Sequence, residues 1–265
     1  MAEDNAPRRS AVVMAGTRGL GQAAAAELLR GGYRVTVCGR DGARLEEAVA
    51  ELGEVAGAEA VTGERADVSA AEDVERLVEG AVAHYGRLDT LVVNAGGPPP
   101  GDFADVGMED WDTAYALTLR SAVTAIRAAV PAMREGGFGR IVIIGSSSVR
   151  RPIGGLVLSN VFRPALTGLV KSLAVDLAPE GITVNMVSPG RIDTERVQTL
   201  DARKAERQGT AAEEVRRASE SAIPAGRYGR PEELGAMVGF LAEERASYVT
   251  GQSLLVDGGL VPTLP

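Results

Sequence analysis

The chain has 265 residues, 45% of them apolar and 24% charged, enough for one large α/β domain that buries a core on both faces of a sheet. A net charge of −8 argues against a general nucleic-acid surface, and a single cysteine excludes an intramolecular disulfide framework. With no apolar run as long as a membrane span and no signal-type segment at its start, the chain is expected to work in the cytoplasm, away from membranes.

Residues 1–10 are polar and are expected to form a flexible tail ahead of a single domain over 11–265. Short apolar runs predict strands at 11–14, 34–38, 60–62, 90–93, 140–144, 183–187 and 253–256. Their unbroken Val/Ile/Leu character suits strands covered on both faces. Amphipathic segments between them predict helices at 20–30, 43–52 and 71–85, and two longer ones at 109–134 and 155–178. Another opens at Pro231-Glu232-Glu233, with proline and acids in the first turn. Regular βα alternation of this kind implies a parallel sheet between helical layers. The charged segment 194–227 breaks the rhythm and reads either as a substrate lid or as a solvated helix pair. Cys38 falls in the second strand as a small buried residue, and His84 at a helix end on the surface.

The first strand runs into Met14-Ala15-Gly16-Thr17-Arg18-Gly19-Leu20-Gly21 and then a helix. A glycine-rich turn there lets backbone N–H groups approach a diphosphate at the helix N-terminus. Asp67-Val68, Asn94-Ala95-Gly96-Gly97, Ser146, Pro189-Gly190-Arg191-Ile192-Asp193-Thr194, Gly251-Gln252 and Val256-Asp257-Gly258-Gly259 follow. In order and spacing this set resembles the short-chain dehydrogenase/reductase family, and in particular proteins labelled 3-oxoacyl-carrier-protein reductases. The resemblance spans nearly the whole chain. It implies a Rossmann-type, doubly wound three-layer sandwich with a seven-stranded parallel sheet, a small-molecule substrate and a homo-oligomer, either tetramer or dimer. It also implies that Ala15 to Gly21 cradle a dinucleotide, with Ala15 where the family has glycine. Asp67 and Val68 would meet the adenine, Asn94, Ala95 and Gly96 would border the cofactor, and Pro189, Gly190, Ile192 and Thr194 would line the nicotinamide. No metal is implied.

Two arginines bear on the cofactor. Arg18 lies inside the turn, and Arg40 just past the second strand, where an acid would hold the ribose hydroxyls of NAD(H). An arginine fork offers donors to a 2′-phosphate and favours NADP(H) over NAD(H).

The family's catalytic set is Asn, Ser, Tyr and Lys. The resemblance puts Ser146 at the serine, Ser159 at the tyrosine, Arg163 at the lysine and Thr118 at the asparagine. The only lysines are Lys171 and Lys204, and neither follows a tyrosine by four residues. A serine hydroxyl is shorter and far less acidic than a phenol, and an arginine stays protonated where a lysine can exchange. Arg163 can still hold the nicotinamide ribose. Tyr115, one turn before Thr118, either shares its face or packs. Ser147 and Ser148 either meet substrate or close the strand end. Arg150, Arg151, Arg163 and Arg191 would converge on an anionic substrate group or stand apart on the surface. The leading expectation is an NADP(H)-dependent oxidoreductase on a carbonyl/alcohol pair with an atypical active site. Its alternatives are a non-redox dehydratase or isomerase and a silent dinucleotide-binding sensor or scaffold.

Overall fold

The structure, a computed structural model, describes residues 8–264. Seven strands form one sheet: β1 (Ser10–Val13), β2 (Arg34–Gly39), β3 (Val61–Arg65), β4 (Thr90–Val93), β5 (Gly139–Ile144), β6 (Ile182–Pro189) and β7 (Ser253–Val256). All pairings are parallel, in the order β3-β2-β1-β4-β5-β6-β7. Successive side chains point to opposite faces, so each strand feeds two cores. Val12, Leu91, Ile141 and Ile143 pack with Leu77, Ile126 and Leu166 on one side, whereas Val13, Val92, Val142 and Ile144 pack with Leu28, Leu45 and Leu234 on the other. The expected three-layer doubly wound fold is the observed one.

Helices α1 (Gly19–Arg30), α2 (Gly42–Ala56) and α3 (Ala71–Tyr85) link the first four strands. They are followed by α4 (Met108–Tyr115), α5 (Ser121–Gly136), α6 (Val157–Leu177), α7 (Glu195–Gln208), α8 (Ala212–Ser221) and α9 (Pro231–Ala242). The starts obey local chemistry: the Asp41 carboxylate accepts the Arg44 N–H at 3.0 Å, and Glu233 accepts the Arg230 N–H at 2.7 Å. Gly86 ends α3 in the left-handed region, φ 73°. No helix among the described residues is long and apolar enough to cross a membrane.

Two expectations need correction. Ser10 does not belong to a flexible tail; it opens β1, fully buried, and its N–H donates to the Asp89 carboxylate at 2.8 Å. Residues 1–7 of that tail lie outside the described residues. The helix expected over 109–134 is two, joined by a π-helical turn at Ala116–Arg120 that keeps the apolar face continuous and so leaves no break in the periodicity. Segment 194–227, read as a lid or a solvated helix pair, does form a helix pair: α7 and α8 are polar helices that bury only Asp201, Ala205 and Val215.

After β1 the chain builds outward to β3, then crosses back to place β4 on the other side of β1. The crevice outside the carboxyl ends of β1 and β4 is the topological switch point where doubly wound sheets take their ligands.

Candidate active site

The turn after β1 is shaped by contacts that leave no room for side chains. A Cβ on Gly21 would lie 2.5 Å from the Ala15 carbonyl oxygen and 2.7 Å from Asn94 Nδ2. Asn94, one residue past β4, donates from that Nδ2 to the Ala15 carbonyl at 3.2 Å, tying the two strand ends together. Gly16 packs under Val37 and the Val13 carbonyl, and Thr17 covers Gly39, so both glycines serve close packing. Ala15 and Gly19 have positive φ, 46° and 54°. For Ala15 that left-handed geometry is strained. Beneath the turn, Cys38 Sγ accepts the Ala15 N–H at 3.3 Å, and burial pushes its thiol up to about 12. Cys38 is an inert part of the floor.

Helix α1 starts at Gly19 with no side-chain cap and no acid in its first turn. Its free N–H groups and partial positive charge therefore face the crevice, and a Cβ on Gly96 across it would meet nothing within 4 Å. These features fit the diphosphate of a dinucleotide. Thr194 closes the cradle from the other side: its methyl stands 3.5 Å from a Cβ position on Gly19, and its hydroxyl caps α7 by accepting the Val197 N–H at 3.4 Å. Pro189 ends β6, Gly190 packs against Asp257, and Ile192 is buried where its backbone bridges to Gly229.

At the mouth, Arg40 lies 3.8 Å from Asp67, and Arg65, at the end of β3, donates to the Arg40 carbonyl at 3.0 Å. Asp67 also accepts from the Ser69 N–H and hydroxyl, while Val68 is buried. Asp41 is committed to capping α2. Arg18 pairs with Glu195 at 2.9 Å, joining the turn to the first residue of α7. Leu20 packs against the core on the α1 side.

The opposite wall carries the polar side chains. Ser146 follows β5, and its Oγ accepts the Ser148 N–H at 3.1 Å, which leaves its proton free to donate. Ser148 is buried and donates to the Ser159 carbonyl at 3.5 Å, so the serine turn rests on the first turn of α6. Arg163, one turn along α6 from Ser159, is buried; it donates from Nη1 to the Ile144 carbonyl at 2.6 Å and from Nη2 to the Ala95 carbonyl at 3.4 Å. Burial first, and then the charge of Arg196, pull it down to about 10, which leaves it protonated at neutral pH. Thr118 sits in the π-helical turn, buried, and its Oγ1 has no protein hydrogen-bond partner among the described residues.

Not every candidate joins this group. Arg191 is drawn away from it by Asp201, at 3.0 Å, under the ring of Tyr228, whose hydroxyl donates to the same carboxylate at 2.7 Å. Arg150 and Arg151 are exposed, Tyr115 packs against Phe162, and His84 is on the surface beside Tyr85. The sequence reading missed Arg65, Glu195 and Arg196. Arg196 reaches across from α7 to donate to the Pro98 carbonyl at 2.8 Å, in space left by Gly97. Gly97 beside the Asn94-Ala95-Gly96 run was the one visible signal of that approach.

Comparison with known proteins agrees with this architecture. A family model described as Enoyl-(Acyl carrier protein) reductase matches residues 14–261. Dehydrogenase/reductase SDR family member 4 of Homo sapiens is 37% identical over 260 residues, 97% of this chain and 88% of the relative. L-rhamnose 1-dehydrogenase (NAD(P)(+)) of Azotobacter vinelandii is 36% identical, covering 97% and 98% of the two chains. Among solved structures, an actinorhodin polyketide ketoreductase with NADPH superposes with a TM-score of 0.92 at 32% identity, over 97% of this chain and 98% of that one. L-sorbose reductase from Gluconobacter frateurii, complexed with NADPH and L-sorbose, gives 0.91 at 30%, over 97% and 98%. The chain belongs to the short-chain dehydrogenase/reductase family, and its reaction class is that of an oxidoreductase.

Proposed function

We propose that the chain is an NADP(H)-dependent oxidoreductase that interconverts a carbonyl and an alcohol without the family's tyrosine and lysine. The observation that carries the cofactor choice is the end of β2. Arg40 stands where an acid would select NAD(H), Asp41 is held by its own helix, and Arg65 braces Arg40 from β3. Arg18 adds a second cation at the same mouth. The ketoreductase and sorbose reductase that resemble this chain were both solved with NADPH, which favours the same reading.

In this reading the open N–H groups of α1 hold the diphosphate, Asp67 and Val68 border the adenine, and Asn94 fixes the turn. Arg163 holds the nicotinamide ribose at the junction of β4, β5 and α6. A nicotinamide bound there would supply or accept the hydride. Ser146 turns its free proton toward the substrate oxygen and polarises the carbonyl. Ser159 is too weak an acid to deliver the proton, so protonation comes from solvent or the substrate itself, a loss of roughly 10²–10⁴-fold against a placed general acid. Thr118 offers its unpartnered hydroxyl to a water, as the family's asparagine does. Helices α7 and α8 wall off the substrate side. The protein acts in the cytoplasm, where the single buried thiol of Cys38 suits a reducing medium. It assembles as a homo-oligomer through α4 and α6, which expose Met108, Tyr115, Val161 and Val175.

Calorimetry with NADPH and NADH at one salt concentration tests the cofactor choice. NADPH should bind more tightly, and Arg40→Ala should weaken NADPH about tenfold while sparing NADH, the low end for a charge-assisted contact because Arg40 is exposed. Equal affinities would refute it.

A further inference from the structure

Of the arginines around the crevice, those nearest the substrate side lack acids. Asp201 is taken by Arg191, Asp193 by Arg216 and Glu195 by Arg18. Arg163 and Arg196 have no carboxylate within 4.0 Å among the described residues; each donates only to backbone carbonyls. Both reach the same loop after β4: Arg163 donates to the Ala95 carbonyl at 3.4 Å and Arg196 to the Pro98 carbonyl, three residues on, at 2.8 Å. Arg196, Arg203 and Arg207 recur at intervals of seven and four residues, one stripe of α7. Arg207 ends 3.2 Å from a Cβ position on Gly155, just ahead of α6, so the stripe runs along the crevice.

Arg163 is buried with no counter-charge, a state that a bound anion would relieve, and Arg196 stands exposed at the mouth of the same cleft. Each keeps N–H donors that its carbonyl partners do not use, because a guanidinium has five. We infer that the substrate carries an oxyanion, a carboxylate or a phosphate, near its reacting carbonyl, and that Arg196 together with Arg163 receives it; this rests on the cleft being the cofactor and substrate site. The arginine set differs from the one expected from sequence: Arg196 takes the place of Arg191, which Asp201 neutralises.

The test compares binding of anion and neutral partner to NADP⁺-saturated protein by calorimetry. The probes are 2-oxopentanoate and 4-oxopentanoate, each against its methyl ester, and dihydroxyacetone phosphate against dihydroxyacetone. At least one anion should bind tenfold or more tightly than its neutral partner, and which one does separates carboxylate from phosphate. Arg196→Gln should bring that ratio to within twofold of one, and Arg196→Lys should keep it at threefold or more. The inference is overturned if no anion exceeds its neutral partner, or if the ratio survives Arg196→Gln. It is also overturned if Arg196→Gln weakens NADP⁺ itself tenfold, which would put the guanidinium on the cofactor's diphosphate. If the wild type binds no NADP⁺, the cofactor reading fails alone, and the same ratios on the cofactor-free protein still decide the anion site.

Discussion

On one side of the crevice, Ala15 to Gly21 and Asn94 present mostly backbone, and the contacts there are so close that a single Cβ at Gly21 would meet an oxygen at 2.5 Å. On the other side, Ser146, Ser159, Arg163 and α7 present side chains, and the chemistry depends on which of them happens to have a partner. Backbone recognition tolerates few replacements and fixes a ligand by shape, whereas side-chain recognition can change while the fold stays the same. On the proposed reading, the first wall departs from the family pattern only at Ala15, whereas the second departs at Ser159 and Arg163, where the chemistry would lie.

The comparison breaks most sharply at Gly21. Gly21→Val forces a branched side chain against the Ala15 carbonyl and Asn94, neither of which can move without opening the turn. Nucleotide affinity should fall by about 100-fold and stability by about 2 kcal/mol, the scale of an overpacked site. Near-normal NADPH binding by calorimetry would show that the backbone wall is not the cradle.

On the second wall, Ser146→Ala should lower kcat by roughly 10–100-fold through lost carbonyl polarisation, whereas Ser159→Ala should cost about threefold or less for want of an acidic proton. Equal losses would make Ser159 a proton donor in its own right. Ser159→Tyr with Arg163→Lys should raise kcat if only the proton-transfer pair is missing.

The smallest effect lies in the turn. Ala15→Gly removes left-handed strain worth roughly 1 kcal/mol but adds unfolded-state entropy of similar size. The melting temperature should rise by about 0–2 °C on the scale of a domain this large, and a fall beyond that range would mean that the Ala15 methyl packs.

What could be read from the sequence follows the same division. The strands were legible because each is a short apolar run, and β4 and β7 fall at the expected residues. The glycine turn and Asn94 were legible because their function is local backbone geometry. The break within 109–134 was hidden because a π-helical turn keeps the apolar face in phase, and Ser10 was hidden because its burial depends on Asp89 and Arg87, nearly eighty residues away. Arg191 and Arg196 could not be told apart in sequence. Only the fold brings Asp201 to one and leaves the other to the Pro98 carbonyl.

The most direct measurement is rapid mixing of NADPH-loaded wild-type protein with a panel of small ketones and oxo acids, following the nicotinamide absorbance. An oxidoreductase with Ser146 intact and no placed acid should oxidise bound NADPH slowly but completely with at least one oxo acid, and should lose most of that rate in Ser146→Ala. NADPH that stays bound and reduced across the panel would contradict the assignment and leave a nucleotide-binding protein without redox chemistry.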